Sequence, residues 1–195
     1  MSLAAIRHWV FDMDGTLTVA AHDFAAIREA LQIPAEDDIL THLAGLPAEV
    51  AQAKHAWLLE HERDLAVASK PAAGAVELVR ELAKRGYRLG ILTRNAQELA
   101  HITLAAIGID DCFARPDVLG REDAAPKPSP DGLLKLARAW GVKPEEMVMV
   151  GDYRFDLDCG RAAGTKTVLV NLAQNPWPEL ADWHAPDCGA LARLI

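Results

Sequence analysis

Asp12 and Asp14 stand two residues apart in Phe11-Asp12-Met13-Asp14-Gly15-Thr16. Alternate side chains of an extended segment point the same way, so both carboxylates can face one site while Met13 faces the interior. Carboxylates so close repel one another unless a cation lies between them or one holds a proton. A hard cation with oxygen ligands, such as Mg2+, answers that requirement. A solvated D-x-D-G turn is the alternative, and the motif alone does not decide. Three further segments carry complementary groups. Thr93 closes the run Tyr87–Leu92 before a helical stretch, where a hydroxyl and free backbone N–H groups suit a phosphate oxygen. Thr93 or Asn95 could equally cap that helix. Lys127 is held between prolines in Pro126-Lys127-Pro128-Ser129-Pro130, positioned for an anion or simply a surface lysine in a turn. In Gly151-Asp152-Tyr153-Arg154-Phe155-Asp156, Asp152 follows an apolar run directly and Asp156 lies four residues on, at the start of a helix.

Each segment needs an element to hold it. Ile6–Phe11 reads as a short buried strand that ends abruptly in the aspartates. From Asp23 to about Ser69 alanine, leucine and glutamate dominate, and the apolar spacing predicts three short helices with no strand among them. Pro71 opens a helix that Gly86 ends, followed by a strand at Tyr87–Leu92 and a helix at Ala96–Ile107. After a loop-rich section from Asp110 to Pro130 come a helix at Leu133–Trp140, a strand at Met147–Val150, a helix at Leu157–Ala163 and a strand at Thr167–Val170. The tail from Asn171 is dotted with proline and tryptophan and ends in a short helix at Gly189–Leu194. Alternating strands and helices predict an α/β fold, a mostly parallel sheet with helices on both faces. Such sheets bind ligands at the carboxyl ends of their strands, so segments far apart in sequence converge there. The helical block is too long for one crossover. The expected organisation is a core of residues 1–18 and 71–195 with a helical cap at 19–70.

The 195 residues include 20 lysines and arginines against 28 aspartates and glutamates, a formal charge of −8, and 51% are hydrophobic. That balance argues against a general nucleic-acid binder, which needs a basic surface, and against a disordered chain. Cys112, Cys159 and Cys188 lie far apart with no C-x-x-C, so buried free thiols are expected. No apolar run is long enough to span a bilayer, and Asp12 and Asp14 break the first one too early for a signal peptide; a cytoplasmic protein is expected. Gly160–Thr167 resembles a nucleotide phosphate loop in composition only: Thr165 stands where the lysine belongs, and a strand follows instead of preceding it.

In their order, D-x-D-G-T at Asp12–Thr16, a strand-terminal Thr93, Lys127 in K-P-x-P and G-D-x-x-x-D at Gly151–Asp156, these segments resemble the haloacid dehalogenase-like hydrolase superfamily. The resemblance implies a Rossmann-like core with a small all-helical cap inserted after the first strand. It implies that Asp12 attacks phosphorus and becomes an aspartyl phosphate, and that Asp14 protonates the leaving alcohol and then activates water. Thr93 and Lys127 would hold the phosphoryl oxygens, with Arg94 and Asn95 beside them as substrate contacts. Mg2+ would be held by Asp12, Asp14 (through its backbone carbonyl) and Asp152, with Asp156 assisting. Asp14 favours phosphoester chemistry over dehalogenation, because a halide leaving group needs no proton. The expected activity is hydrolysis of a small phosphorylated metabolite, as in phosphoglycolate phosphatases, by a monomer or homodimer with no nucleic-acid or membrane partner. A β-phosphoglucomutase-like phosphomutase acting on a sugar phosphate is the alternative, and the cap looks short for it. The run Thr18–Asp23 departs from the acidic-then-hydroxyl pattern common in relatives, which leaves the substrate open. Within the cap, His22, His42, Lys54 and Arg63 are either contacts to the leaving group or ordinary solvated surface.

Overall fold

The computed structural model describes residues 2–20, 24–37 and 39–195. His22 therefore lies outside the described residues. Six parallel strands form one sheet in the order β3-β2-β1-β4-β5-β6. They are β1 (His8–Phe11), β2 (Arg88–Leu92), β3 (Val118–Leu119), β4 (Met147–Gly151), β5 (Lys166–Val170) and β6 (Trp183–Ala185). The four internal strands β2, β1, β4 and β5 are mostly apolar and buried because both of their faces are covered. Alternation assigns the faces. Trp9, Phe11, Leu89, Ile91, Val148 and Val150 pack beneath α4 (Ala75–Lys84), α5 (Gln97–Ala106) and α8 (Cys188–Ala192). Val10, Leu92, Met147 and Met149 pack on the other side, against α6 (Asp131–Trp140) and α7 (Arg154–Ala163). The α/β architecture expected from the sequence is the observed one.

Between β1 and α4 come three helices and no strand among the described residues: α1 (Phe24–Leu31), α2 (Ile39–Ala44) and α3 (Ala48–Val67). The chain leaves and re-enters the core through a narrow neck. There the Val19 N–H donates to the Lys70 carbonyl at 3.0 Å and the Ala72 N–H to the Leu17 carbonyl at 2.9 Å. The insertion has an apolar cluster of its own, made of Ile27, Leu31, Ile33, Leu43 and Leu58. Its long helix α3 also packs against α5 of the core.

Two strands escape the sequence pattern. β3 has only two residues inside the loop-rich section, too few for any periodicity, and β6 lies within the proline-dotted tail. Helix α7 begins at Arg154, three residues before the expected Leu157, which brings Asp156 into its first turn. All three cysteines are free.

Candidate active site

The carboxyl ends of β1, β2 and β4 and the loop before α6 meet at one cavity of about 490 Å3. Asp12, Asp14, Thr93, Arg94, Asn95, Lys127, Asp152 and Asp156 all line it. Asp12 leaves β1 with its N–H still donating to the Val150 carbonyl at 2.9 Å, so the sheet ladder itself fixes the start of the loop. Gly15 turns that loop with φ +83°, and a Cβ there would fall 2.3 Å from Asp152 Oδ2, so only glycine lets the two loops approach. Gly151 permits a second close approach, since its Cβ would lie 2.2 Å from that of Asp156.

Lys127 organises the floor. Its Nζ lies 2.6 Å from Asp12 Oδ1 and 2.7 Å from Asp156 Oδ1, and the side chain is almost wholly buried. Burial alone would lower the ammonium's pKa, but the two carboxylates outweigh it and hold Lys127 above the usual lysine range. Burial raises Asp152 above the ordinary carboxylate range, the Asp12 charge adds to the rise, and the Thr16 hydroxyl opposes it by donating to Oδ1 at 2.8 Å. Asp156 is raised in the same way by burial and by the Asp12 and Asp152 charges, against the pull of Lys127.

Carboxylate oxygens of Asp12, Asp152 and Asp156 all lie within 4.8 Å of one another. One ammonium offsets three carboxylates only in part; burial is the main cause of the upward shifts of Asp152 and Asp156, and the neighbouring carboxylate charges add to them. An all-oxygen, net-negative donor set of this kind fits a hard divalent cation. The side chain of Asp14 stands apart from that trio: its Oδ2 accepts a 2.6 Å bond from Asn95 Nδ2.

Thr93 is buried, and its Oγ1 accepts the Asn95 backbone N–H at 3.1 Å, which keeps the hydroxyl's own hydrogen for a donor role. Neither residue caps α5, whose N-cap is Ala96 without a side-chain bond. Of the cap residues left open between leaving-group contact and solvated surface, His42, Lys54 and Arg63 do not line the cavity. His42 pairs with Asp37 at 2.7 Å, Lys54 bonds the Leu31 carbonyl, and Arg63 reaches Glu98 at 2.5 Å. From the insertion, Ile27, Arg28, Ile39, Leu58 and Glu62 face the cavity instead.

A family model for haloacid dehalogenase-like hydrolases matches residues 6–164. The chain belongs to this family. Among curated relatives of this hydrolase, a haloacid dehalogenase-like hydrolase domain-containing protein of Arabidopsis thaliana is 33% identical over 183 residues, covering 85% of this chain and 71% of that protein. An N-acetylmuramic acid 6-phosphate phosphatase of Pseudomonas aeruginosa is 29% identical, covering 95% and 91%. In fold it matches the crystal structure of a predicted phosphoglycolate phosphatase from Haemophilus somnus with a TM-score of 0.78 at 20% identity, over 99% of both chains.

The hydrolase also uses residues that motif reading passed over. Asn171, at the end of β5 with φ 61°, donates through Nδ2 to the Gly15 carbonyl at 2.7 Å and the Thr16 carbonyl at 2.8 Å. It thereby clamps the loop that carries Asp12 and Asp14. The signal was available, because Asn171 occupies the same strand-end position as Asp12, Thr93 and Asp152. Glu62 was legible only as one of many charges on a helix, and nothing in its spacing marks it as facing a site.

Proposed function

We propose that this hydrolase is a Mg2+-dependent phosphatase that cleaves a small phosphate monoester through an aspartyl-phosphate intermediate on Asp12. The observation that carries the reading is Asp14, held by Asn95 on the floor of the cavity that Asp12 lines. A proton donor in that place has a use when an alkoxide leaves and none when a halide does. The names of relatives, among them N-acetylmuramic acid 6-phosphate phosphatase and pyrophosphatase PpaX, agree in phosphoryl chemistry while differing in substrate.

An Asp12 carboxylate oxygen attacks phosphorus as the bond from phosphorus to the ester oxygen breaks. Asp14, protonated for this step, gives its proton to the departing alkoxide, and the alcohol leaves. Asp14 then takes a proton from water, which attacks phosphorus and returns Asp12 and inorganic phosphate. Lys127 offsets the repulsion between an anionic nucleophile and an anionic substrate, and with Thr93 it holds phosphoryl oxygens. Asn95, through its hold on Asp14, acts as a positioning residue, and Arg94 stands beside it toward substrate. Mg2+ would be held by Asp12, Asp152 and the backbone carbonyl of Asp14, with Asp156 assisting, and when bound it supplies positive charge against the phosphoryl oxygens.

Residues 19–70 act in this reading as a cap that excludes bulk water over the core of 1–18 and 71–195. No described helix is long and apolar enough to cross a membrane. The proposal includes a cytoplasmic setting, which keeps the three unpaired thiols reduced, and a monomer or homodimer. Phosphate release from a panel of phosphorylated metabolites, with and without Mg2+, tests it beside Asp12→Asn. Turnover lost on chelation and in the variant is the expected result. A sugar phosphate returned as an isomer with little free phosphate would identify a phosphomutase instead.

A further inference from the structure

The cavity is larger and more apolar than its catalytic floor requires. Above that floor, Tyr153 and Phe155 form a wall on the core side, their rings edge to face with centroids 5.2 Å apart. Trp177, from the loop after β5, backs Tyr153 edge to face at 5.6 Å. Tyr153 is 53% exposed and Phe155 39%, so this aromatic surface is held in solvent next to Asp152 and Asp156 and not spent on the core. The insertion adds the aliphatic side chains Ile27, Ile39 and Leu58 to the lining. Phosphate alone has no use for such walls. Among the polar groups that line the cavity, Arg121 and Glu62 come as a matched donor and acceptor, with Arg121 Nη1 at 3.2 and 3.3 Å from the two carboxylate oxygens of Glu62.

We infer that Tyr153 and Phe155 read the leaving group, and that it is a six-membered sugar ring, making the substrate a hexose phosphate. This rests on the phosphatase reading and names its substrate class. A pyranose has one face of C–H groups that packs on aromatic rings and a rim of hydroxyls that needs donors and acceptors together, as Arg121 and Glu62 offer. A small acyclic acid would leave the aromatic wall wet.

The test compares kcat and KM for a hexose 6-phosphate, phosphoglycolate and a nucleoside 5′-monophosphate in wild type, Tyr153→Ala, Phe155→Ala and the ring-preserving Tyr153→Phe. The expected result is a hexose phosphate preferred over phosphoglycolate, with that preference in kcat/KM falling about tenfold in either alanine variant, carried mainly by KM. Tyr153→Phe should restore it. Equal use of phosphoglycolate and the hexose phosphate, a proportional loss on all three substrates, or a marked preference for the nucleotide would overturn the inference while leaving the phosphatase intact. Absence of phosphate release from every compound would instead overturn the reading beneath it.

Discussion

The catalytic edge of the sheet and the helical insertion beside it are held together by different means. At the edge, a buried ammonium joins Asp12 to Asp156, Thr16 bonds Asp152, Asn95 bonds Asp14, and Asn171 fastens the loop from behind. Two of the close approaches there admit only glycine, so the geometry tolerates almost no displacement. The insertion depends on one small apolar cluster, exposes Val50, Trp57, Leu59 and Val67 along α3, and meets the core partly through the half-buried Glu62–Arg121 pair and the exposed Arg63–Glu98 pair. Surface ion pairs hold little free energy. The contrast separates a catalytic edge that is locked in place from an insertion that can shift by modest amounts.

The largest expected effect comes from breaking the rigid part at its centre. Lys127→Met removes the ammonium between Asp12 and Asp156 and leaves buried carboxylates facing one another. Destabilisation of about 3–5 kcal/mol is expected from urea unfolding, together with a loss of turnover on the order of 100-fold or more. Because the repulsion is then between carboxylates, adding Mg2+ should raise the urea midpoint of the variant more than that of the parent. An unchanged midpoint without metal would show that Lys127 does not compensate those charges.

Matched cavities sharpen the comparison next. Leu104 is fully buried beneath the sheet and Leu58 in the insertion's cluster. Leu104→Ala should cost about 2–5 kcal/mol of global stability. Leu58→Ala should act locally, speeding limited proteolysis within 24–67 while the urea midpoint of the core moves less. Equal shifts of one cooperative transition would mean that insertion and core unfold together.

A smaller effect is expected where a core residue acts through another. Asn95→Ala removes the 2.6 Å bond to Asp14 and leaves its carboxylate without that anchor. A fall in kcat of about 10- to 100-fold is expected, with KM moving little, because orientation of the acid and base is what is lost. A rise in KM with kcat unchanged would assign Asn95 to direct substrate contact.

The same division explains what could be read without coordinates. Strand-terminal positions are legible because an apolar run followed by a polar residue marks the end of a buried strand, and Asp12, Thr93 and Asp152 are found that way. Lys127 is legible from its prolines and its place in the motif order. The three helices of the insertion follow from their spacing, but the faces they turn toward the site do not. Glu62 reaches the cavity because α3 lies against α5, and that depends on packing between elements far apart in sequence. His42 and Arg63 looked equally suitable and point elsewhere, to Asp37 and Glu98. β3 and β6 were hidden for a different reason, since a two- or three-residue strand owes its existence to the edge of a neighbour.

The smallest effect tests the rigidity of the core without disturbing it. Cys159 sits under the catalytic floor with its Sγ 3.1 Å from the Ser129 carbonyl, and Cys188 lies beneath the loop that Asn171 clamps. Burial pushes both thiols up to about 12, whereas Cys112 is only half-buried. A thiol reagent at pH 8 should therefore modify Cys112 first and reach the other two only as the core opens, since the reacting species is the thiolate. The sign for stability follows from the same shifts. The folded chain holds these two protons more tightly than the unfolded chain, whose thiols titrate near the ordinary value of 9.0, so the contribution is complete below pH 9 and lost as pH rises toward 12. Modification of Cys159 as fast as Cys112 in the folded protein would mean that the floor beneath Lys127 opens as readily as the surface, and the contrast between a rigid edge and a yielding insertion would fail there.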